Sequence, residues 1–300
     1  MERTPLARIL RGHRSPWLIR NAGFAALAAI NAAMFVPAVV VPLVAFSMGS
    51  EPGSDWLNSY APAGRLAGSA QLYAWTDLPY GEAPFVYRYS PVASYLFAAL
   101  APFGLVGWTV LHFAALLALP RALALLSVIS FPFWSDVLAG GSMVFVAVAA
   151  VLAVRGNRLA VAAFVLLAVM IPRPLMVPVL AYLVWKAEWR TRWIIAAVFA
   201  LHAYAVLATG LGDDWIRSLT ARGADDIGAV WDFGPGRLIG PLWIPIGAAL
   251  ASLLTWRGRL GLASLAASPY WLLQYALMLA LEFDRSSVRR EERTEGHVAP

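Results

Sequence analysis

Gly53-Ser54-Asp55-Trp56-Leu57-Asn58-Ser59-Tyr60 is the first polar run after a long apolar segment, Asn21 to Gly49. The apolar segment is long enough to span a bilayer as a retained helix, and Asp55 then sits a few residues outside it. The bulk composition agrees: of 300 residues, 60% are hydrophobic and only 13% charged. Mean hydropathy is +0.67. An ordinary soluble domain carries about twice that share of charge, so the chain reads as an all-α, polytopic integral membrane protein. A charge beside the first span then requires a reason.

Working outward, residues 1–20 carry Arg3, Arg8, Arg11, Arg14 and Arg20 and form a basic N-terminus. The alternative, a cleaved signal peptide, is disfavoured by the length of the apolar run and the lack of a small-residue cleavage site. Arg155/Arg158, Lys186/Arg190/Arg192 and Arg257/Arg259 lie in short connections. Alternating crossings put them on the same side as the N-terminus, which the positive-inside rule makes cytoplasmic. The opposite side receives two polar segments, about 50–90 and 212–237, holding nine acids against five arginines. No polar linker divides the remainder, so 21–282 reads as one transmembrane domain, followed by a polar tail at 283–300 expected to be disordered.

Further apolar segments fall at about 91–103, 105–127, 141–154, 159–180, 193–211, 238–255 and 260–282. Several are short for the roughly 20 residues a straight span needs, and prolines interrupt them, notably Pro172 and Pro174, which can divide 159–187 in two. Broken helices in a membrane require protein or a water-filled cavity around the break. The expectation is a helical bundle of about eight to ten transmembrane helices around a cavity open to the outer side. The first outer segment is punctuated by Trp56, Tyr60, Tyr73, Trp75, Tyr80, Phe85, Tyr87 and Tyr89, residues that suit an interface or a sugar- or lipid-binding wall. Its stretch from Ala61 to Leu72 fits a short amphipathic helix on the bilayer.

The absence of cysteine excludes disulfides, thiol catalysis and cysteine-bound metal. No Walker loop or glycine-rich strand-to-helix turn points to a nucleotide, and the basic residues are distributed as orientation signals rather than as a nucleic-acid footprint. The pairs Asp213/Asp214 and Asp225/Asp226 lack an accompanying histidine and adjacent acids diverge, so neither a divalent metal nor another cofactor is expected. The second outer segment reads either as a lid or as a solvated connector. His112 and His202, on apolar stretches, read as satisfied core residues.

A juxtamembrane Asp (Asp55), an aromatic five residues on (Tyr60), a Gly-x-x-x-x-Tyr step (Gly68 to Tyr73) and Phe85-Val-Tyr-Arg-Tyr-Ser-Pro91 together resemble the GT-C superfamily of membrane glycosyltransferases. The chain is most similar there to glycosyltransferase family 87, polyprenol-phosphate-mannose-dependent mannosyltransferases. Gly140-Gly141-Ser142-Met143 falls where that family tends to have Gly-Gln-x-Asn, Pro172-Arg173-Pro174 where it tends to have Lys-Pro, and Ser268-Pro269 resembles a late Ser-Pro step. The missing amides leave their hydrogen bonds to Ser142 or the backbone, and the chain is shorter than typical members.

The resemblance implies metal-independent, inverting transfer of a hexose, mannose in the family, from a polyprenyl-phosphate donor to an outer-leaflet glycolipid or glycan. Asp55 would be the general base, since the attacking hydroxyl must lose a proton. Arg88 and Arg173 would bind the donor phosphate, because a guanidinium grips phosphate oxygens in a fork. Arg88 could instead snorkel or pair with Glu82 or Asp77, and Arg173 could instead hold freed carbonyls. Tyr60, Tyr87, Tyr89, Asp136 and Ser142 are candidates to line the substrate cavity. Tyr87 and Tyr89 alternate around Arg88, so an extended lead-in would point them opposite ways. Asp136 could instead form a structural pair with Arg121. The expected location is the plasma membrane, with the active site on the extracytoplasmic side. Two rivals remain open: a transporter or flippase for polyprenyl-phosphate lipids, and a non-catalytic subunit of a cell-envelope complex with the same fold.

Overall fold

In a computed structural model of the chain, the residues described are 53–77, 87–220 and 234–283. The basic N-terminus, the apolar run from Asn21 to Gly49, the middle of the second outer segment with Asp225, Asp226 and Asp232, and the polar tail lie outside them. Among the described residues all regular structure is helical. After a π-helical stretch at Trp56–Tyr60, the main helices are α1 Ala61–Arg65, α2 Pro91–Leu100, α3 Gly104–Leu116, α4 Arg121–Val128, α5 Phe131–Ala139, α6 Met143–Val154 and α7 Arg158–Met170. They continue with α8 Val177–Lys186, α9 Trp189–Thr209, α10 Gly212–Thr220, α11 Gly236–Ile239, α12 Trp243–Trp256, α13 Leu260–Ala267 and α14 Ala280–Phe283.

The centre of the bundle is α6. Its sequence MVFVAVAAVLAV is apolar all round and nine of its twelve residues are buried, the pattern of a helix surrounded by others. Helices α7 and α3 flank it, and α9 packs on α7. The contrast with α9 is instructive. Only Ile195, His202 and Val206 of its 21 residues are buried, whereas Trp193, Leu201, Tyr204 and Leu207 are more than 60% exposed. That surface is what a helix long and apolar enough to cross a membrane presents.

Among the described residues two helical runs are long and apolar enough to cross a membrane, Pro91–Leu116 and Trp189–Thr209, and the bent pair α4/α5 would add a third. The first run is not straight. Gly104 takes a positive φ of 61°, and the Phe97 ring lies 6.3 Å from that of Trp108. Eleven residues of straight helix would separate them by about 16 Å, so the chain bends back where the sequence segments 91–103 and 105–127 meet. Met143–Val154, Arg158–Met170, Pro174–Lys186 and Gly240–Trp256 are apolar but shorter. The break expected at Pro172–Pro174 is present: α7 ends at Met170 and a 3-10 turn at Pro174–Met176 leads into α8.

The segment 260–282 does not run through as one helix. It stops at Ser268-Pro269 and returns through a 3-10 stretch, Leu273–Leu279, so that Glu282 accepts hydrogen bonds from the Gly261 and Leu262 backbone N–H groups at 3.0 and 3.2 Å. The far carboxylate thereby caps the start of α13, where the dipole favours a negative charge.

The first outer segment folds into the bundle rather than lying on it. Buried Trp56, Tyr60, Ala63, Leu72 and Tyr73 form a second core with Phe97, Trp108, Met170 and Leu211. Helix α1 approaches α2 so closely that a Cβ on Gly64 would lie 2.8 Å from the Ala98 nitrogen and the Phe97 carbonyl carbon. Gly64→Ala is therefore expected to force the two helices apart and destabilise by about 1–3 kcal/mol, read as a lower midpoint of thermal unfolding in detergent.

Candidate functional site

Asp55 opens the π-helical stretch, a widened turn that recurs at functional sites. The carboxylate is not a cap: no backbone N–H is bonded to it. Nor is it a solvated loop acid, because the residue is partly buried. Burial pushes its carboxyl from the ordinary 3.8 up to about 6, with the positive charge of Arg173 pulling it down and the negative charge of Asp136 pushing it up. Arg173, 118 positions on in the chain, is thus the cation whose field Asp55 feels most.

Arg173 stands in the break between α7 and α8, where an extended backbone carries it out of helix. Its Nη2 donates to the Tyr89 hydroxyl at 3.2 Å, and its guanidinium carbon lies 5.4 Å from the centre of the Tyr275 ring, a cation–π distance. Its Nη1 is buried and has no hydrogen-bond partner. An orphaned guanidinium nitrogen is costly inside a protein.

Beside the two charges stands an aromatic wall. Tyr60 stacks on Phe97, centroids 4.4 Å apart and planes 6° from parallel, and meets Tyr89 at 5.6 Å. Trp56 stacks on Trp108 at 5.0 Å. The Tyr60 hydroxyl donates to Ser142 Oγ at 3.3 Å, and burial holds its phenol well above the usual range. Asp55, Tyr60, Tyr89, Ser142 and Arg173 are therefore one cluster, drawn from four separate parts of the chain.

The lead-in to α2 is clamped from all sides. Tyr73 donates to the Tyr89 carbonyl at 2.6 Å, Tyr87 to the Ser90 carbonyl at 3.0 Å, and the Trp215 indole to the Arg88 carbonyl at 3.1 Å. Ser90 bonds the Met170 carbonyl through its N–H at 2.9 Å and meets His202 Nε2 at 2.8 Å through its hydroxyl. Tyr87 and Tyr89 do not point opposite ways, because this clamping turns their rings edge to face at 5.5 Å. Tyr87 is buried behind Tyr89, while Arg88 is partly buried. His202 is a core clip, as its apolar setting suggested.

Asp136 serves the scaffold. Fully buried, it accepts from the Met143 and Val144 backbone N–H groups at 3.2 and 2.8 Å, capping α6. Its side-chain neighbour is His112, at 3.6 Å, rather than Arg121, which is exposed. His112 also faces the Trp108 and Gly141 carbonyls at 2.8 and 3.2 Å. The Gly140-Gly141-Ser142 turn is thus occupied internally. Gly140, in the left-handed region at φ 68°, ends α5, the Trp108 indole holds the carbonyls of Gly140 and Gly141, and Ser142 receives Tyr60.

Tyr275, Trp108 and Trp215 were not singled out in the sequence as neighbours of the site, since nothing local marks an aromatic as the floor under a distant arginine. Among the described residues no group of three or more His, Cys, Asp or Glu comes together as a metal site. No protein-family model, curated protein or solved structure matches the chain.

Proposed function

We propose that the chain is a membrane-embedded glycosyltransferase of GT-C type, moving a hexose, mannose on the family resemblance, from a polyprenyl phosphate to an alcohol of an outer-leaflet glycolipid or glycan. The observation that carries this reading is the juxtaposition of Asp55 and Arg173. Among the described residues no hydrogen bond or ion pair engages the Asp55 carboxylate, and the nearby guanidinium keeps an unsatisfied buried donor. A base with a pKa near the working pH removes a proton most effectively.

In the proposed step the acceptor oxygen attacks the anomeric carbon as Asp55 takes its proton. The bond from that carbon to the phosphate oxygen breaks, and the electron pair leaves with the phosphate, whose charge Arg173 stabilises, with Arg88 as its proposed companion. No divalent ion is required. In the proposed topology the shorter apolar helices also cross the membrane, the N-terminus is cytoplasmic and the site lies on the extracytoplasmic side of the plasma membrane.

The test is release of polyprenyl phosphate from a labelled polyprenyl-phosphate hexose by the purified protein, with a panel of glycolipid acceptors and with EDTA present. Turnover supports the reading; a donor left intact with every acceptor overturns it. The pH profile is expected to follow the carboxylate: the base must be ionised, so kcat/KM is level above pH 7 and falls about tenfold per unit below about 6. A profile flat down to pH 4 would remove Asp55 from the proton transfer.

A further inference from the structure

The Arg173–Tyr89 hydrogen bond has a polarity that matters. A guanidinium only donates, so the Tyr89 oxygen is the acceptor at 3.2 Å and its own hydrogen must point elsewhere. Among the described residues nothing accepts that hydrogen. Next to it, Nη1 of the same guanidinium is buried with no partner. Two unused donors, one charged and one neutral, therefore lie within the span of a single tetrahedral oxyanion. The Tyr275 ring stands against the guanidinium and the Tyr60 ring against Tyr89, and Tyr73 pins the backbone of Tyr89 at 2.6 Å.

We infer that Arg173 Nη1 and the Tyr89 hydroxyl together form a binding site for one phosphate group, with Tyr89 donating to one oxygen and Arg173 to another. This rests on the reading of Arg173 as the donor's phosphate ligand and adds Tyr89 as the second half of the site. One cation with one neutral donor suits a single phosphate group, the headgroup a lipid-phosphate sugar carries before transfer and a lipid phosphate keeps after it. A diphosphate would bring more negative charge than this pair neutralises.

The site is tested by isothermal titration of the full-length protein in detergent with farnesyl phosphate, and separately with inorganic phosphate. Tyr89→Phe keeps the ring and its packing, and is expected to bind farnesyl phosphate about tenfold more weakly, the usual worth of a hydrogen bond to a charged group. Arg173→Met is expected to lose about a hundredfold or more, and Arg173→Lys, which keeps the charge and loses the fork, to fall between. Thermal unfolding of each variant reports whether the fold is intact. Unchanged or tighter binding by folded Tyr89→Phe, beside weak binding by Arg173→Met, overturns the role of Tyr89 and leaves Arg173 standing. Wild-type affinity in folded Arg173→Met or Arg173→Lys overturns the site altogether. Inorganic phosphate binding as tightly as farnesyl phosphate, with the same response to the variants, overturns the lipid source. Binding does not depend on turnover, so a protein that binds yet never transfers separates failure of the proposed reaction from failure of the phosphate site.

Discussion

Asp55→Asn is expected to abolish transfer, with kcat reduced by about 10²–10⁴-fold, while the protein inserts and folds as before. The size follows from the loss of a positioned general base. The sign of the accompanying stability change is a sharper test. Burial raises the folded carboxyl from 3.8 to about 6, so between those values the folded state holds a proton that the unfolded state has released. Asp55 therefore costs stability as pH rises through that window, and the penalty is fully present at pH 7. Removing the charge is expected to stabilise the protein at neutral pH by about 1–3 kcal/mol, discounted for the solvent the side chain still meets. At pH 4 the gain should largely vanish. An inactive variant that unfolds at a higher temperature than wild type at pH 7 marks a carboxylate retained for chemistry. One that unfolds earlier marks a structural residue, and wild-type turnover would end the base assignment.

Asp136→Ala is expected to damage the fold instead, by about 1–3 kcal/mol, the usual penalty for leaving a buried donor without its acceptor. The variant leaves the Met143 and Val144 N–H groups at the start of the central helix without an acceptor, a change worth about 1 kcal/mol alone, and strands buried His112. Asp136→Asn keeps one acceptor oxygen and should lose less. The measurement is the midpoint of thermal or denaturant unfolding in detergent, together with the fraction recovered in folded form. An Asp136→Ala protein as stable as wild type would contradict the assignment of Asp136 as the keystone between α5 and α6.

These two acids stand differently to the sequence. Asp55 could be singled out without coordinates, because a carboxylate beside an apolar run in a chain so poor in charge is conspicuous, and Arg173 stood out between two prolines for the same reason. Asp136 carried no such mark of its role. Its partners are the first N–H groups of the next helix, reached only because Gly140 reverses the chain in the left-handed region. Tyr87 and Tyr89 illustrate the same limit: local alternation placed them on opposite sides, and bonds from Tyr73, Trp215, His202 and Met170 turned their rings together.

Composition and hydropathy alone pointed to long apolar helices, and among the described residues all regular structure is helical, with two runs long and apolar enough to cross a membrane. Proline and glycine positions determined where helices break, at Pro172–Pro174 and before Gly104. Only the tertiary structure decided that 260–282 folds back until Glu282 caps its own beginning, and that Asp55 and Arg173, 118 residues apart, share one enclosed field. Hydrophobic periodicity acts over a few residues. A buried charge is decided by whatever else is packed within a few ångströms of it, and that is a property of the folded chain.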